Sequence, residues 1–388
     1  MSSLTAVLVL GGAIPASAAA IRVFPPDFLV LNPVYPDRGY FDLMVPTIAV
    51  VTGPSESFIL RGARIDLLRS GRPVSSRSYV PEEFELKSRR LASAPAQFFR
   101  DTQFIDAGSF QLAFGSKVHF SASSVMRGNE LLVLTEQYFA FDREVDQLRV
   151  TVTGLENRHP RILSIAIPLR EYKSPIAYHS PLRGNWLRAS NPILNSHHRF
   201  NPPAEFAIDL FKVDGNGVAY SGHHYAAENW YAYGEPVLAA ADGEVVNVIS
   251  DAKLDRSFLW PRPGETEEQR SARAGNEMEQ LVYGAHARYP EAVGGNSIVL
   301  KHRVGGTTEY SSYGHLKAGS IRVRVGQTVK QGDVIAEVGD TGDTPVVHLH
   351  FQINSGPNPY NSKSLPFDFV DTDLPGATRD PGYFVGPK

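Results

Sequence analysis

The stretch VVHLHFQI, residues 346–353, decides how the second half of the chain is interpreted. Its apolar and β-branched residues are typical of a buried strand, yet it also contains His348 and His350. Because residues i and i+2 of a strand point to the same face, the two imidazoles are expected to project together. Leu349 and Phe351 then face the core. The alternation predicts one apolar face and one face with two nitrogen donors.

Two other segments supply candidate partners for these imidazoles. His315 lies in EYSSYGHLKAGS, residues 309–320, and Asp209 is the single carboxylate of the apolar run FAIDL, residues 206–210. His197 and His198 precede Asp209 by twelve and eleven residues. A buried carboxylate is costly unless it is paired or binds a metal. Two histidines and one carboxylate, with a position left for water, form the ligand set of a catalytic zinc hydrolase.

Composition narrows the possible classes of protein. The 388 residues suit two domains of ordinary size, and the many glycines and prolines favour short strands joined by turns. A net charge of −3 provides no basic surface for nucleic acid. The chain has no cysteine, which excludes disulfides, thiolate zinc sites and cysteine nucleophiles. Any metal must therefore be held by His, Asp, Glu or water.

The N-terminal segment predicts export. An apolar run at residues 4–14 leads into the small residues Ala16-Ser17-Ala18, although no Lys or Arg precedes it. This pattern is typical of a signal peptide, which we place at residues 1–20. The run is too short to span a bilayer, and no later stretch of 18 apolar residues exists. We expect a mature chain without a transmembrane span, located in the periplasm, in the cell envelope or outside the cell.

The remaining sequence predicts a mainly β protein with two domains. Residues 21–172 contain short apolar runs separated by turns, such as the period-two segment LRVTV at 148–152, and predict an antiparallel β-sandwich accessory domain. Residues 173–195 hold three prolines and predict a linker or a strap. Residues 196–388 predict a second β-rich domain. Its charged segment 251–291 predicts a small helical insert or lid.

Five segments of the second domain, in their order along the chain, resemble the lysostaphin-type, LytM-like zinc metallopeptidase family. They are GEPVLAAADGEVV at 234–246, GNSIVLKH at 295–302, YGHL at 313–316, VGQTVKQGDVIAEVG at 325–339 and HLHF at 348–351. The resemblance covers about residues 196–360 and implies a β-rich fold of the LytM type, a duplicated hybrid motif. It says nothing about the N-terminal half.

The resemblance also implies roles for individual residues. His350 and Asp209 would bind Zn²⁺, and His348 and His315 would be the catalytic pair that handles the reacting water and the developing oxyanion. Before the HLH triplet, DTPVV at 343–347 replaces the small Ser-Thr-Gly-Pro turn that is usual in the family.

The first metal ligand departs from the family pattern, which places a histidine four residues before the aspartate. Glu205 stands there instead. We favour His198, which is followed by Arg199 as in a branch of the family. His197 remains open, as does the pair His224 and Glu228, which has the usual spacing but needs Glu in place of Asp.

The implied function is an exported zinc metalloendopeptidase that acts on peptides of bacterial peptidoglycan. The N-terminal domain would dock a protein regulator or cover the cleft. One alternative is a catalytically inactive LytM-like module that binds or activates other proteins. Another is a biotinyl or lipoyl carrier domain, because residues 323–342 resemble its lysine-bearing hairpin. No methionine adjoins a lysine in that segment, which disfavours the carrier.

Overall fold

A computed structural model describes residues 19–25, 27–35, 39–93, 119–188, 197–252, 256–286, 294–360, 362–372 and 382–385. Within these residues the chain is mainly β, as the sequence predicted. The chain divides into two compact units, with the change between Tyr172 and Lys173. Residues 1–18 of the expected signal peptide lie outside the described residues. No helix in the described ranges combines the length and apolar character needed to cross a membrane.

The first unit contains eleven described strands and one helix. In chain order they are β1 Ala20–Phe24, β2 Leu29–Val30, β3 Asn32–Tyr35, β4 Tyr40–Val51, β5 Ser57–Arg69, β6 Arg72–Tyr79, α1 Pro81–Ser93, β7 His119–Phe120, β8 Val125–Arg127, β9 Glu130–Phe141, β10 Gln147–Glu156 and β11 His159–Arg170. One sheet has the order β1-β4-β9-β7 with β3 beside β4, and the other has the order β2-β11-β10-β5-β6 with β8 beside β5.

The two sheets of the first unit share one apolar core. Leu148, Val150 and Val152 of β10 are fully buried, and the residues between them are only partly buried. They belong to the same core as Leu43 and Val45 of β4, in the other sheet. The pairings are antiparallel except for β2 with β11 and β7 with β9. The period-two pattern therefore forms a sandwich of two sheets.

Helix α1 covers the outer face of the β4 sheet. Leu91 packs on a second apolar cluster formed by Ala49, Val51, Leu131 and Val133. The Ser88 hydroxyl accepts a hydrogen bond from the amide of Val133 at 2.9 Å. Because the helix lies on this face, β4 is buried on both sides for most of its length.

The second unit is built around one large antiparallel sheet. Its elements are β12 Asn185–Arg188, β13 Ile208–Phe211, β14 Pro236–Leu238, β15 Gly243–Ile249, α2 Glu267–His286, β16 Asn296–Val304, β17 Thr307–Leu316, β18 Thr328–Val329, β19 Val334–Glu337, β20 Leu349–Asn354, β21 Ser364–Leu365 and β22 Gly382–Val385. The strand order is β18-β15-β16-β17-β20-β13-β12-β22, with β21 beside β20. β14 and β19 form a separate ribbon.

The described part of the expected linker, residues 173–188, belongs to the second unit. Tyr178, Leu182 and Trp186 are fully buried, and β12 pairs with β13 inside the large sheet. Large apolar side chains hold the segment although proline breaks its periodicity, so it packs as a strap.

The predicted insert is helical and lies between β15 and β16. Its helix α2 has a small core of its own, in which Ala274 and Met278 pack against Phe258 and Leu259. Tyr225 packs on this core from outside the insert. Residues 253–255 and 287–293 lie outside the described residues.

Candidate metal centre

Three neighbouring strands of the large sheet carry the candidate site. His350 of β20 is paired directly with Asp209 of β13 on one side and with Gly314 of β17 on the other. Leu349 and Phe351 are fully buried on the opposite face, as the alternation predicted. Directly opposite residues of an antiparallel pair have side chains on the same face, which brings the Asp209 carboxylate to the His350 ring.

His315 reaches the same face because of a β-bulge. The pairing of β16 with β17 shifts so that Gly314 and His315 together oppose Ser297. His315 has φ 58°, a left-handed conformation that is uncommon outside glycine. Strict alternation would send His315 to the core face with Tyr313. Instead, its ring centroid lies 4.7 Å from that of His348, in keeping with the use of bulges to re-aim side chains beside active sites.

The short 3₁₀ helix His197–Phe200 brings His198 to the carboxylate. Nε2 of His198 lies 2.9 Å from Oδ2 of Asp209, and Nδ1 of His350 lies 3.1 Å from Oδ1. One ligand atom from each of these residues lies within 4.8 Å of the others. We call His198, Asp209 and His350 the donor group. Two imidazoles and one carboxylate at this separation have the chemistry and spacing to hold one small divalent cation.

Gln352 fixes which nitrogen of His350 faces the donor group. Its amide nitrogen donates to the Asn354 side chain at 2.7 Å and to the Pro203 carbonyl at 3.2 Å. Its oxygen therefore faces Nε2 of His350 at 2.7 Å, so Nε2 must donate. Nδ1 is left for Asp209 or a cation, and a carboxamide behind a ligand histidine is an orienting partner of the kind that metal sites use.

Electrostatics keep the Asp209 carboxylate ionised. Burial alone would raise its pKa, but the charges and hydrogen bonds of His198 and His348 hold the pKa well below its ordinary range. For His350, burial lowers the pKa, but the hydrogen bond and charge of Asp209 outweigh burial and raise it. A cation bound between His350 and Asp209 would compete with a proton for Nδ1 of His350.

His315 is held neutral. Burial, together with the charges of His348 and His350, keeps its pKa well below 6.5. Its Nδ1 lies 2.7 Å from the carbonyl oxygen of Thr341, so Nδ1–H donates there and Nε2 is left as an acceptor. A neutral imidazole with a fixed tautomer is suited to accept a proton.

His348 is positioned from three sides. Its Nε2 lies 3.3 Å from Oδ1 of Asp209, and its Nδ1 lies 3.3 Å from the Thr344 hydroxyl. Its ring stacks on Phe211 at 5.1 Å. The carboxylate therefore contacts both histidines of the HLH triplet.

The site opens into a cavity of about 460 Å³, which we call the histidine cavity. Its lining includes Asn201, Gln352 and Tyr360, which the sequence analysis did not select, and Asp343 and Thr344, which it noted as a departure from the family's turn. Tyr360 accepts a hydrogen bond from the Gly294 amide at 2.7 Å. The position of Gln352 could have been predicted from the sequence, because it lies two residues after His350 and so shares its strand face.

The structure brings all five predicted site residues together. The alternative pair, His224 and Glu228, lies apart from them. His224 packs on the rings of Tyr220 and Tyr225, at 5.7 Å and 4.1 Å. Within the described ranges, neither His224 nor Glu228 joins the donor group. The side chain of His197 lies outside the described residues.

Comparison with known proteins finds a family match in one part of the chain. Residues 281–362 match the model of peptidase family M23. On the basis of this match we refer to the second unit as the M23 domain. The match confirms the resemblance drawn from the ordered segments. The matched span of the M23 domain contains His315, His348 and His350, whereas His198 and Asp209 precede it.

Individual relatives of the M23 domain are distant. Over 161 residues, the chain is 28% identical to the cell division protein DipM of Caulobacter vibrioides, strain NA1000 / CB15N, which is 42% of this chain but only 18% of that protein. The catalytic domain of the antimicrobial peptidase lysostaphin from Staphylococcus simulans is 19% identical, with a TM-score of 0.23 over 49% of this chain and 86% of that domain. A zinc containing peptidase from Vibrio cholerae is 14% identical, with a TM-score of 0.24 over 84% of this chain and 80% of that one.

Proposed function

We propose that the M23 domain is a zinc-dependent metalloendopeptidase that hydrolyses peptide bonds in bacterial cell-wall peptidoglycan after export of the chain. One observation carries the proposal. A donor group of His198, Asp209 and His350 lies in the open histidine cavity with two further imidazoles, His315 and His348, beside it. Inert ion pairs do not need the additional imidazoles, whereas hydrolysis needs groups that move protons.

The donor group suits zinc in particular. Zinc prefers nitrogen and carboxylate ligands in tetrahedral sets, and catalytic sites use three protein ligands with one position left open. When bound there, zinc would supply Lewis-acid polarisation of a peptide carbonyl and of a water molecule. His198 and His348 hold the pKa of Asp209 low, and Asp209 raises the pKa of His350, so the carboxylate is kept in the ionised form that binds zinc.

The proton chemistry belongs to His315 and His348. Nε2 of His315 is an acceptor because Nδ1 donates to the Thr341 carbonyl, so His315 can take a proton from the attacking water. His348, held by Asp209 and Thr344, is placed to stabilise the oxyanion and to donate a proton to the leaving amine, and the proton taken up by His315 then replaces the one that His348 gave. Two adjacent imidazoles thereby separate the tasks of base and acid.

The substrate class and the setting are further parts of the proposal. The LytM-like resemblance implies cell-wall peptides, and the relative in Caulobacter vibrioides is a cell division protein. The N-terminal segment with its signal-peptide pattern fits an exported enzyme. The β-sandwich unit is proposed to bind a protein regulator.

Zinc content tests the ligand assignment. The purified full-length protein is expected to hold one equivalent of zinc by elemental analysis. His198→Ala is expected to lose it, and the matched variant His224→Ala is expected to retain it. Wild-type protein without zinc at saturating metal would exclude the enzyme and favour a binding or activating module.

Amine release from purified peptidoglycan tests the activity. Wild type is expected to expose new amines, and His348→Ala is expected to lower the rate by about 10²–10⁴-fold, the usual worth of a positioned proton-transfer group. Equal release by both proteins would remove His348 from the mechanism.

A further inference from the structure

The turn before the HLH triplet places an aspartate on the wall of the histidine cavity. Asp343 lies between Gly342, which has φ 88°, and Thr344, whose amide donates to the Gly342 carbonyl at 2.9 Å. The Thr344 hydroxyl also donates to the Val346 carbonyl at 2.7 Å. These contacts hold the turn, so the position of Asp343 is fixed by backbone geometry.

The described residues give the Asp343 carboxylate no lysine or arginine as a partner. None of the described residues that line the histidine cavity is lysine or arginine. The other aspartate of the lining, Asp209, is engaged by three histidines, whereas the described part of the chain offers Asp343 neither an ion pair nor a side-chain hydrogen bond. Asp343 is solvent-exposed as a residue, yet desolvation by the surrounding walls raises its pKa. A carboxylate in such a position gains most when a cation comes beside it.

A second residue of the cavity lining carries an acceptor without a donor. Asn201 lines the cavity, and its Oδ1, which is buried from solvent, has no hydrogen-bond partner among the described residues. Buried polar groups are normally paired. Asp343 and Asn201 thus add a charged acceptor and a neutral acceptor to the residues that line the cavity.

We propose that Asp343 is a specificity-determining residue that binds a primary ammonium group of the substrate, so that the preferred substrate is a peptide with a free amine close to the scissile bond. Asn201 contributes a second acceptor to that amine. This inference rests on the proposed peptidase function. The inference specifies that the preferred substrate carries a positive charge, a property that the donor group does not determine.

Chemical modification of one peptidoglycan preparation tests the inference. Portions are left untreated, acetylated to remove the positive charge of free amines, or succinylated to replace it with a negative charge. Initial rates of turbidity loss are then measured with full-length, zinc-loaded protein. Wild type is expected to act about 10–100-fold more slowly on the acetylated portion and more slowly still on the succinylated one, which corresponds to the loss of one charged hydrogen bond.

Variants separate the charge of Asp343 from its packing. Asp343→Asn is expected to lose about 10–100-fold on the untreated portion and to be indifferent to acetylation. Asp343→Lys is expected to reverse the preference and to act faster on the succinylated portion than on the untreated one. Asp251→Asn, an exposed carboxylate outside the cavity lining, is the matched control and is expected to behave as wild type.

Two results would overturn the inference in different ways. Equal wild-type rates on all three portions would reject the role of Asp343 and leave the peptidase function intact. No turbidity loss and no amine release from any portion by zinc-loaded wild type would reject the peptidase function itself and the inference with it. The reversed preference of Asp343→Lys guards against misfolding, since a damaged enzyme does not gain on a new substrate.

Discussion

The two units contain the same tripeptide and use it differently. Ile65-Asp66-Leu67 lies on β5 of the first unit and Ile208-Asp209-Leu210 lies on β13 of the second. In both, the apolar neighbours are buried and the carboxylate, 2% exposed in one and 5% in the other, faces the opposite side. The sequence around each aspartate therefore predicts the same local structure. The difference lies in what the next strand places across from the carboxylate.

Arginine stands across from Asp66, whereas histidine stands across from Asp209. The Asp66 carboxylate receives Arg149 at 2.9 Å, and Arg64 and the Ser76 hydroxyl at 2.6 Å. Arginine keeps its proton at any accessible pH and cannot bind a metal, so this cluster is a permanent ion pair. Imidazole can lose its proton and accept a cation. A buried aspartate in a strand thus indicates that the cost of burying a charge must be offset. The residue across from it on the next strand indicates whether the aspartate contributes to stability or to chemistry.

The largest effect is expected when the aspartate of the second unit receives an arginine partner, as Asp66 has in the first unit. His350→Arg is expected to fold, because the guanidinium can pair with Asp209 and the cavity has room. It is expected to lose zinc and at least about a thousandfold of the peptidoglycan rate, since metal catalysis supplies several kcal/mol. Elemental analysis, amine release and near-UV circular dichroism measure the three effects. A variant that kept one zinc and its activity would exclude His350 from the ligands.

A smaller effect is expected from the residue behind His350. Gln352→Leu removes the oxygen that accepts Nε2–H, so the ring loses its fixed tautomer. We expect zinc affinity to fall by about 10–100-fold, with a milder change for Gln352→Glu, which keeps an acceptor. Competition with a chromogenic chelator gives the dissociation constants. Unchanged zinc affinity in the Leu variant would mean that the orientation of His350 by Gln352 does not contribute to zinc binding.

The corresponding change in the first unit is expected to affect stability alone. Asp66→Asn should lower the free energy of unfolding of this unit by about 1–3 kcal/mol, the typical cost of losing hydrogen bonds to a buried charge. Zinc content and peptidoglycan rate should stay within twofold of wild type. Hydrogen exchange on β5 and β10 reports the loss. The three tryptophans, Trp186, Trp230 and Trp260, all lie in the second unit and serve as the internal control.

The smallest expected effect is the loss of stability of the Asp66 cluster in acid. Burial raises the pKa of Asp66, but Ser76, Arg149 and Arg64 outweigh burial and lower it below 3.8. The unfolded aspartate titrates near about 3.9, so this stabilisation is complete above that pH and is lost as the pH falls through the folded value. Exchange protection on β5 should weaken below about pH 4 in wild type. A curve of the same shape in Asp66→Asn would show that another group causes the acid sensitivity.

Strand alternation explains most of what could be predicted. Leu349 and Phe351 face the core and His348 and His350 face the cavity because the period of a strand is two, and LRVTV forms a core strand for the same reason. Helix α1 was not predicted, although Pro81 and the acidic Glu82 and Glu83 open it as a helix start should, with Glu83 accepting the Val80 amide at 2.8 Å.

The geometry that assembles the site could not be predicted from local pattern. His315 reaches the cavity only through a bulge and a left-handed backbone, and both depend on the register between β16 and β17. The link between His198 and Asp209 crosses eleven residues without regular periodicity. The sequence marks Asp343 only as a departure from the family's turn. Its neighbours in the cavity lining depend on the folded chain.

The position of the insert has a consequence for how the second unit can vary. β15 and β16 are adjacent strands whose last pair is Ile249 with Ser297, so the chain leaves the sheet and returns to it at almost the same point. The Asn296 side chain ties the two ends together by accepting the Ala252 amide at 2.9 Å. At such a hairpin base, segments of different length can be inserted without a change in the register of the strands that carry the donor group. Because Gly294 at its returning end lines the histidine cavity, each insertion would reshape the mouth of the cleft.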